Sequence, residues 1–202
     1  MKKYAVLHEP GDIVTLAGTR FVVLDVERRG SLPDSLFLLA LESVGASEFG
    51  SSNNYAESDL KKAVDKWLED MGKRGLDNAK LIPREIDLTT LDGSGCYGKL
   101  SVKAAPLTLD EAREYADIIP NAERWCWLAT GWSGPSKSDG YALYVYSNGD
   151  WYYNSCSNSY GIRPALKAPS ILFEDSEAGL DLSKIPTDDL LQEIHRRLAE
   201  KA

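Results

Sequence analysis

Residues 125–166 constrain this chain more than any other stretch. Four of the five tryptophans (Trp125, Trp127, Trp132, Trp151) and six of the ten tyrosines (Tyr141, Tyr144, Tyr146, Tyr152, Tyr153, Tyr160) fall within them, interleaved with Ser, Asn and Gly. Some of these rings are expected to fill a core between strands. Others, set among small polar residues, make the kind of contact surface that antibody loops use. The stretch therefore points to binding rather than to a particular reaction.

Its pattern is one of strands. Trp125-Cys126-Trp127-Leu128-Ala129 predicts a strand, and residues 131–140 a polar loop carrying Trp132. Tyr141 to Tyr146 and Trp151 to Asn154 predict a hairpin, with Asn148-Gly149 supplying a type I′ turn. Alternation places Tyr144 and Tyr146 on one face and Leu143 and Val145 on the other. The aliphatic pair is the natural core face, which sends the tyrosines outward. Gly161-Ile162-Arg163-Pro164-Ala165-Leu166 begins a last strand.

Upstream, residues 12–26 predict a β-hairpin turning at Ala17-Gly18-Thr19, residues 28–34 a loop, and residues 36–41 a buried strand. Together they read as a three-stranded antiparallel meander. Ser58 is placed to cap a helix with Leu60, Val64, Trp67, Leu68 and Met71 on its apolar stripe, closed by Gly72 and Gly75. Residues 81–88 form a short extended piece, and residues 92–98 a Gly-rich loop without the order of a phosphate loop. Thr108 and Glu111 make a capping box for a helix over residues 109–116, showing Leu109, Ala112, Tyr115 and Ala116 on one side. The fold class is α+β. The domain is expected to span residues 1–168, followed at 169–202 by an acidic linker and an amphipathic helix capped by Thr187. That helix could serve self-association or docking.

Charge and cysteine usage exclude several functions. A formal net charge of −8 and a pI near 4.9 do not suit a nucleic-acid partner or an anionic membrane surface. No apolar run is long enough for a membrane span or a signal peptide, so the protein is expected in the cytoplasm as synthesised, or in a phage particle. Cys96, Cys126 and Cys156 are odd in number and expected reduced. The histidines, His8 and His195, lie near the two ends, which leaves no ready His-based metal cage or catalytic triad. Neither metal nor cofactor is expected.

The ordered set of an apolar hairpin, a Trp-containing helix, Leu-Thr-Leu-Asp-Glu-Ala, Trp-x-Trp-Leu, Tyr-Val-Tyr-Ser-Asn-Gly-Asp and Gly-Ile-Arg-Pro-Ala-Leu resembles an uncharacterised family common in gut Firmicutes and their phages. Its members carry W-W-L-R-S, S-x-D-G-x-V and G-V-R-P-A-L at these places. That family looks like a branch of the C-type-lectin-like fold. The fold also holds the variable proteins of diversity-generating retroelements and the formylglycine-generating enzymes. The resemblance covers roughly residues 10–168, and Trp125 to Thr130 departs from W-W-L-R-S, so that arginine has no counterpart here.

The resemblance implies a non-enzymatic module binding a protein or glycan through the final hairpin region. Its candidate residues are Trp132, Ser136, Tyr144, Tyr146, Trp151, Tyr153, Asn154, Ser157, Asn158 and Tyr160. The alternative reading is that these aromatics merely cover a flat sheet. Arg163 is assigned a structural role on backbone carbonyls. The Asn, Ser and Tyr of residues 141–160 also suit a region diversified at adenines. Two alternatives stand: a copper-dependent thiol oxidase using Cys126 and Cys156, and a structural subunit of a phage-like particle. A lectin calcium site is not expected, since Asn148-Gly149-Asp150 aims outward and no Glu-Pro-Asn loop accompanies it.

Overall fold

The computed structural model describes residues 8–29 and 32–173, together with Thr187 and Leu191. The architecture is mixed α+β with mostly antiparallel sheets. Strands β1 (Ile13–Leu16), β2 (Thr19–Arg29) and β3 (Leu32–Ala40) follow one another as a meander. They share a five-stranded sheet with β7 (Ala104–Ala105) and β12 (Ala165–Pro169), ordered β1-β2-β3-β12-β7. The first turn is tight: Leu16 pairs with Thr19, and both Ala17 and Gly18 have positive φ. Such primed turns match the twist of the strands they join. The expected loop at residues 28–34 is mostly strand, with Arg28 opposite Pro33 and Arg29 opposite Leu32. Polar side chains did not end the ladder, because exposed residues can extend a hairpin already paired by its apolar part.

The aromatic region forms a second sheet, ordered β10-β9-β8-β11-β4. Its strands are β10 (Trp151–Ser155), β9 (Tyr141–Val145), β8 (Cys126–Gly131), β11 (Ser159–Gly161) and β4 (Ala46–Glu48). The turn between β9 and β10 differs from the expected type I′. Gly149 N–H donates to the Tyr146 carbonyl at 3.0 Å and Tyr146 N–H to the Asp150 carbonyl at 2.7 Å. Only Gly149, and not Asn148, has positive φ. This is a three-residue loop ending on a left-handed glycine, in which Asn148 never needs the unfavourable φ. The expected last strand is also split. β11 stops at Gly161, β12 starts at Ala165, and residues 162–164 carry the chain from one sheet to the other.

Helix α1 (Asp59–Lys73) starts where Ser58 Oγ accepts from Lys61 N–H at 2.9 Å, and it buries Leu60, Val64, Trp67 and Met71. Helix α2 (Leu109–Glu114) opens on the capping box, with Glu111 Oε2 accepting from Thr108 N–H at 2.8 Å. It ends a residue or two early, with Tyr115 as its C-cap, turned edge-on to Phe37. Strand β6 (Lys99–Val102), paired with β5 (Arg84–Asp87), was not expected: Lys-Leu-Ser-Val does alternate polar and apolar residues, but over four positions only. The C-terminal helix lies outside the described residues, apart from helical positions at Thr187 and Leu191. A 3₁₀ turn spans Ser170–Phe173.

Two clusters make the core, and they explain why Phe21-Val22-Val23-Leu24 of β2 and Cys126-Trp127-Leu128-Ala129 of β8 are uninterrupted apolar runs. One face of each sheet meets α1: Phe21, Val23, Leu36, Leu38, Val64, Trp67, Trp127, Ala129 and Tyr144 pack there. The opposite faces meet α2: Val22, Leu24, Leu39, Leu109, Ala112, Leu128 and Leu143 pack there. With both faces covered, alternation no longer separates inside from outside.

Glu111 does more than cap. Its Oε1 pairs with the guanidinium of Arg84, which is buried and also donates to the carbonyls of Ala105 and Pro106. Removing one partner of a buried ion pair strands the other charge. Thr108→Ala is therefore expected to cost about 1 kcal/mol, the usual worth of an N-cap. Glu111→Gln is expected to cost more, about 3 kcal/mol. Urea unfolding of both variants checks the order, and an equal cost would mean that Arg84 gains nothing from Glu111.

Candidate ligand-binding site

The ten candidate residues do not share one surface. Register pairs Tyr152 with Tyr144 and Asn154 with Ala142 on one face of the hairpin, and Trp151 with Val145 and Tyr153 with Leu143 on the other. Ser136 and Ser157 lie exposed on loops.

On the first face the rings grade from core to surface. Tyr144 is 2% exposed, so its expected outward position is corrected. It packs between Trp127 and Tyr160, with ring centroids 6.1 and 4.7 Å away, because α1 and the first sheet cover this side too. Desolvation drives its phenol pKa well above the usual value. Tyr146 and Tyr160 are half-buried around Trp125, at 4.8 and 5.5 Å. Asn154 Nδ2 donates to Tyr160 Oη at 2.7 Å, and Asn158 Nδ2 donates to Asn154 Oδ1 at 3.1 Å. These asparagines hold one another and the ring, rather than projecting freely. Tyr152 at the outer margin is 57% exposed.

The second face is an open aromatic cleft of about 290 Å³. Trp132 and Tyr153 lie against each other with centroids 3.8 Å apart and planes inclined by 30°. Tyr141 meets Tyr153 edge-on at 6.0 Å. The Arg113 guanidinium stands 5.3 Å over the Trp151 ring. Leu91, Leu109, Leu143 and the edge of Tyr152 complete the lining. Trp151 and Tyr153 are 38% and 41% exposed. Stacked neighbours restrict these rings before any ligand arrives, which lowers the ordering cost of binding.

A buried asparagine positions this cleft. Asn53, 1% exposed, donates through Nδ2 to the carbonyls of Ser133 (2.9 Å) and Tyr141 (2.8 Å), and its Oδ1 accepts from Tyr97 Oη (2.7 Å). Its own N–H donates to the Asp139 carbonyl at 2.7 Å. One side chain thus ties both ends of the loop carrying Trp132. A Cβ on Gly131 would lie 2.7 Å from the Asn53 carboxamide carbon, so the residue before Trp132 has to be glycine. From outside, Leu91 N–H donates to the Gly131 carbonyl at 2.9 Å, and Lys137 Nζ donates to Asp92 Oδ2 at 2.8 Å. Hydrogen bonds from Lys137 and Thr90 hold the Asp92 carboxyl down at about 2.

Sequence reading missed Trp125, Tyr141, Tyr152, Arg113, Leu91 and Asn53. Trp125 read as part of a strand, and Tyr141 and Tyr152 were not singled out from the rings around them. Arg113 and Leu91 reach the cleft from segments distant in the chain, and Asn53 lies in the small polar run Gly50-Ser51-Ser52-Asn53-Asn54. No local signal marks the last three.

The two buried thiols occupy separate settings. Cys126 Sγ donates to the Arg124 carbonyl at 3.3 Å, and Cys156 Sγ to the Asp139 carbonyl at 3.8 Å. Burial pushes the first up to about 11 and the second up to about 12, so both stay protonated near neutrality. Among the described residues, no group of three or more His, Cys, Asp or Glu is placed to hold a metal ion. Likewise none of their helices is long and apolar enough to cross a membrane. In comparison with known proteins, the chain matches no family model, no curated protein and no solved structure.

Asn53→Ala would leave two carbonyls and a phenol without their partner, an expected loss of about 3 kcal/mol from ~1 kcal/mol or more per stranded group. Asn53→Asp should be at least as damaging at neutral pH, since a carboxylate would face two carbonyl oxygens. Denaturant melts measure both, and a loss within error of zero would show that the amide is dispensable. A thiol-reactive disulfide reagent should label Cys96 alone in the folded protein and all three cysteines in denaturant, since only Cys96 is exposed. Rapid labelling of a second thiol would contradict the burial described.

Proposed function

We propose that this chain is a non-enzymatic binding module of C-type-lectin-like fold, and that its site is the aromatic cleft on the second face of the β9–β10 hairpin. The observation that carries the reading is the exposure of Trp151 and Tyr153 beside Trp132 and Arg113, on an edge strand that contributes no residue to either core. Exposed rings clustered with an arginine are the composition of interface hot spots. Nothing in the folding of the sheet requires Trp151 or Tyr153 to be aromatic. A ligand with flat or apolar faces and polar edges, a glycan or a peptide segment, suits stacked rings bordered by a guanidinium.

The arrangement of two five-stranded sheets and two α-helices, with the ligand surface on the last hairpin, is consistent with the resemblance in the aromatic motifs. It is also consistent with a variable protein. Replacing Trp151, Tyr152 or Tyr153 would change the surface while leaving Trp127, Tyr144 and Leu143 to hold the fold. A thiol oxidase would need a thiolate, whereas burial keeps Cys126 and Cys156 protonated. A role in a phage-like particle rests on the C-terminal helix, outside the described residues.

Arrayed glycans and a displayed random-peptide library serve as probes. The wild-type protein is expected to retain members of one of the two, and Trp151→Ala with Tyr153→Ala to lose that retention by at least about tenfold, as for hot-spot residues. The double variant should melt within a few degrees of wild type, whereas Tyr144→Ala should cost about 3 kcal/mol or more as a core truncation. Undiminished retention by the double variant, or its unfolding, would remove the cleft as the site.

A further inference from the structure

A second cavity lies between α2, the segment following it and the underside of the β9–β10 turn. Its volume is about 300 Å³, at the lower end of small-molecule sites. The inner wall is largely apolar, with Leu107, Ala112, Leu128 and Trp127 all buried. Ala116 and Trp151 stand exposed at the mouth with Asn148 and Asp150. Gly149 sits at φ 91°, and a Cβ there would come within 3.2 Å of Asn121 Oδ1 across the opening.

One cation contributes to the inner wall. Arg163 is 6% exposed, and its Nε and Nη1 donate to the carbonyls of Ala40 (3.0 Å) and Pro120 (3.1 Å). Its Nη2 is buried without a hydrogen-bond partner. Among the described residues no carboxylate forms an ion pair with it, and the nearby Glu42 is engaged with Arg20. Two carbonyls orient the guanidinium without neutralising it. A buried charge left in this state is costly unless something compensates it. Fixing the crossover between the sheets accounts for two of the donors and leaves the third unexplained.

We propose that this cavity binds a small monocarboxylate with an apolar body, its carboxylate on the Arg163 guanidinium and its chain along the apolar wall. The carboxylate would complete the donor set of Arg163 and compensate its charge. The polar mouth leaves the far end of the ligand facing water. Asp150 is the one carboxylate at the mouth, exposed and hydrogen-bonded to Asn148 Nδ2 at 2.7 Å, where solvent screens it from the anion within. The cavity is separate in its chemistry from the aromatic cleft, although Trp151 borders both.

The test uses the full chain with octanoate as probe and 1-octanol as its uncharged counterpart, titrated by calorimetry. Octanoate is expected to bind about tenfold or more tightly than the alcohol, the usual margin for a charge-assisted hydrogen bond. Ala116→Trp, at the exposed mouth and away from Arg163, should abolish binding without changing the melt. Arg163→Met should erase the preference if it folds, and Ala116→Trp decides the matter if it does not. Absence of octanoate binding, equal affinity for the alcohol, or binding untouched by Ala116→Trp would each overturn the proposal.

Discussion

Strand β8 has no solvent face. All six of its residues are buried, one side against the α1 core and the other against the α2 core. The rest of the molecule follows from that constraint. A central strand covered on both sides can present nothing to a ligand, so presentation falls to β10 at the sheet edge and to the loop after β8. Tyr144 on β9 is drawn into the core because it pairs with Trp127, while Trp151, Tyr152 and Tyr153 one strand further out are not.

Burial of the strands does not by itself fix the loop that carries Trp132. Asn53 does so, through bonds that span 80 and 88 residues of the chain. Each of its amide hydrogens and its carbonyl has a partner, which is the condition under which a buried polar group rigidifies rather than weakens a core. The cleft therefore combines rings held by stacking with a loop held by one amide. Such preorganisation suits recognition without large rearrangement.

Much of this was legible in the chain. Helix α1, the capping box at Thr108, the Ala17-Gly18 hairpin and the aromatic hairpin each have a local cause, in apolar period, cap chemistry or turn residues. The α+β class follows from them. The failures also share a cause. The outward placement of Tyr144 assumed one wet face, which the second core removed. The type I′ turn at Asn148-Gly149 assumed a two-residue connection, whereas the register left three. Glu111 read as a cap because its buried partner, Arg84, lies 27 residues away. Arg163 read as a structural arginine, and two of its bonds fit that role. Its unpartnered nitrogen depends on tertiary placement that no local pattern encodes.

The central claim is a division of the tryptophans between core and surface, made by strand position. Fluorine NMR of protein labelled with 5-fluorotryptophan, with a soluble gadolinium chelate added, reads that division directly. The account predicts strong broadening of the Trp125 and Trp151 resonances and little effect on Trp67 and Trp127. A broadened Trp127, or a Trp151 as protected as Trp127, would contradict it.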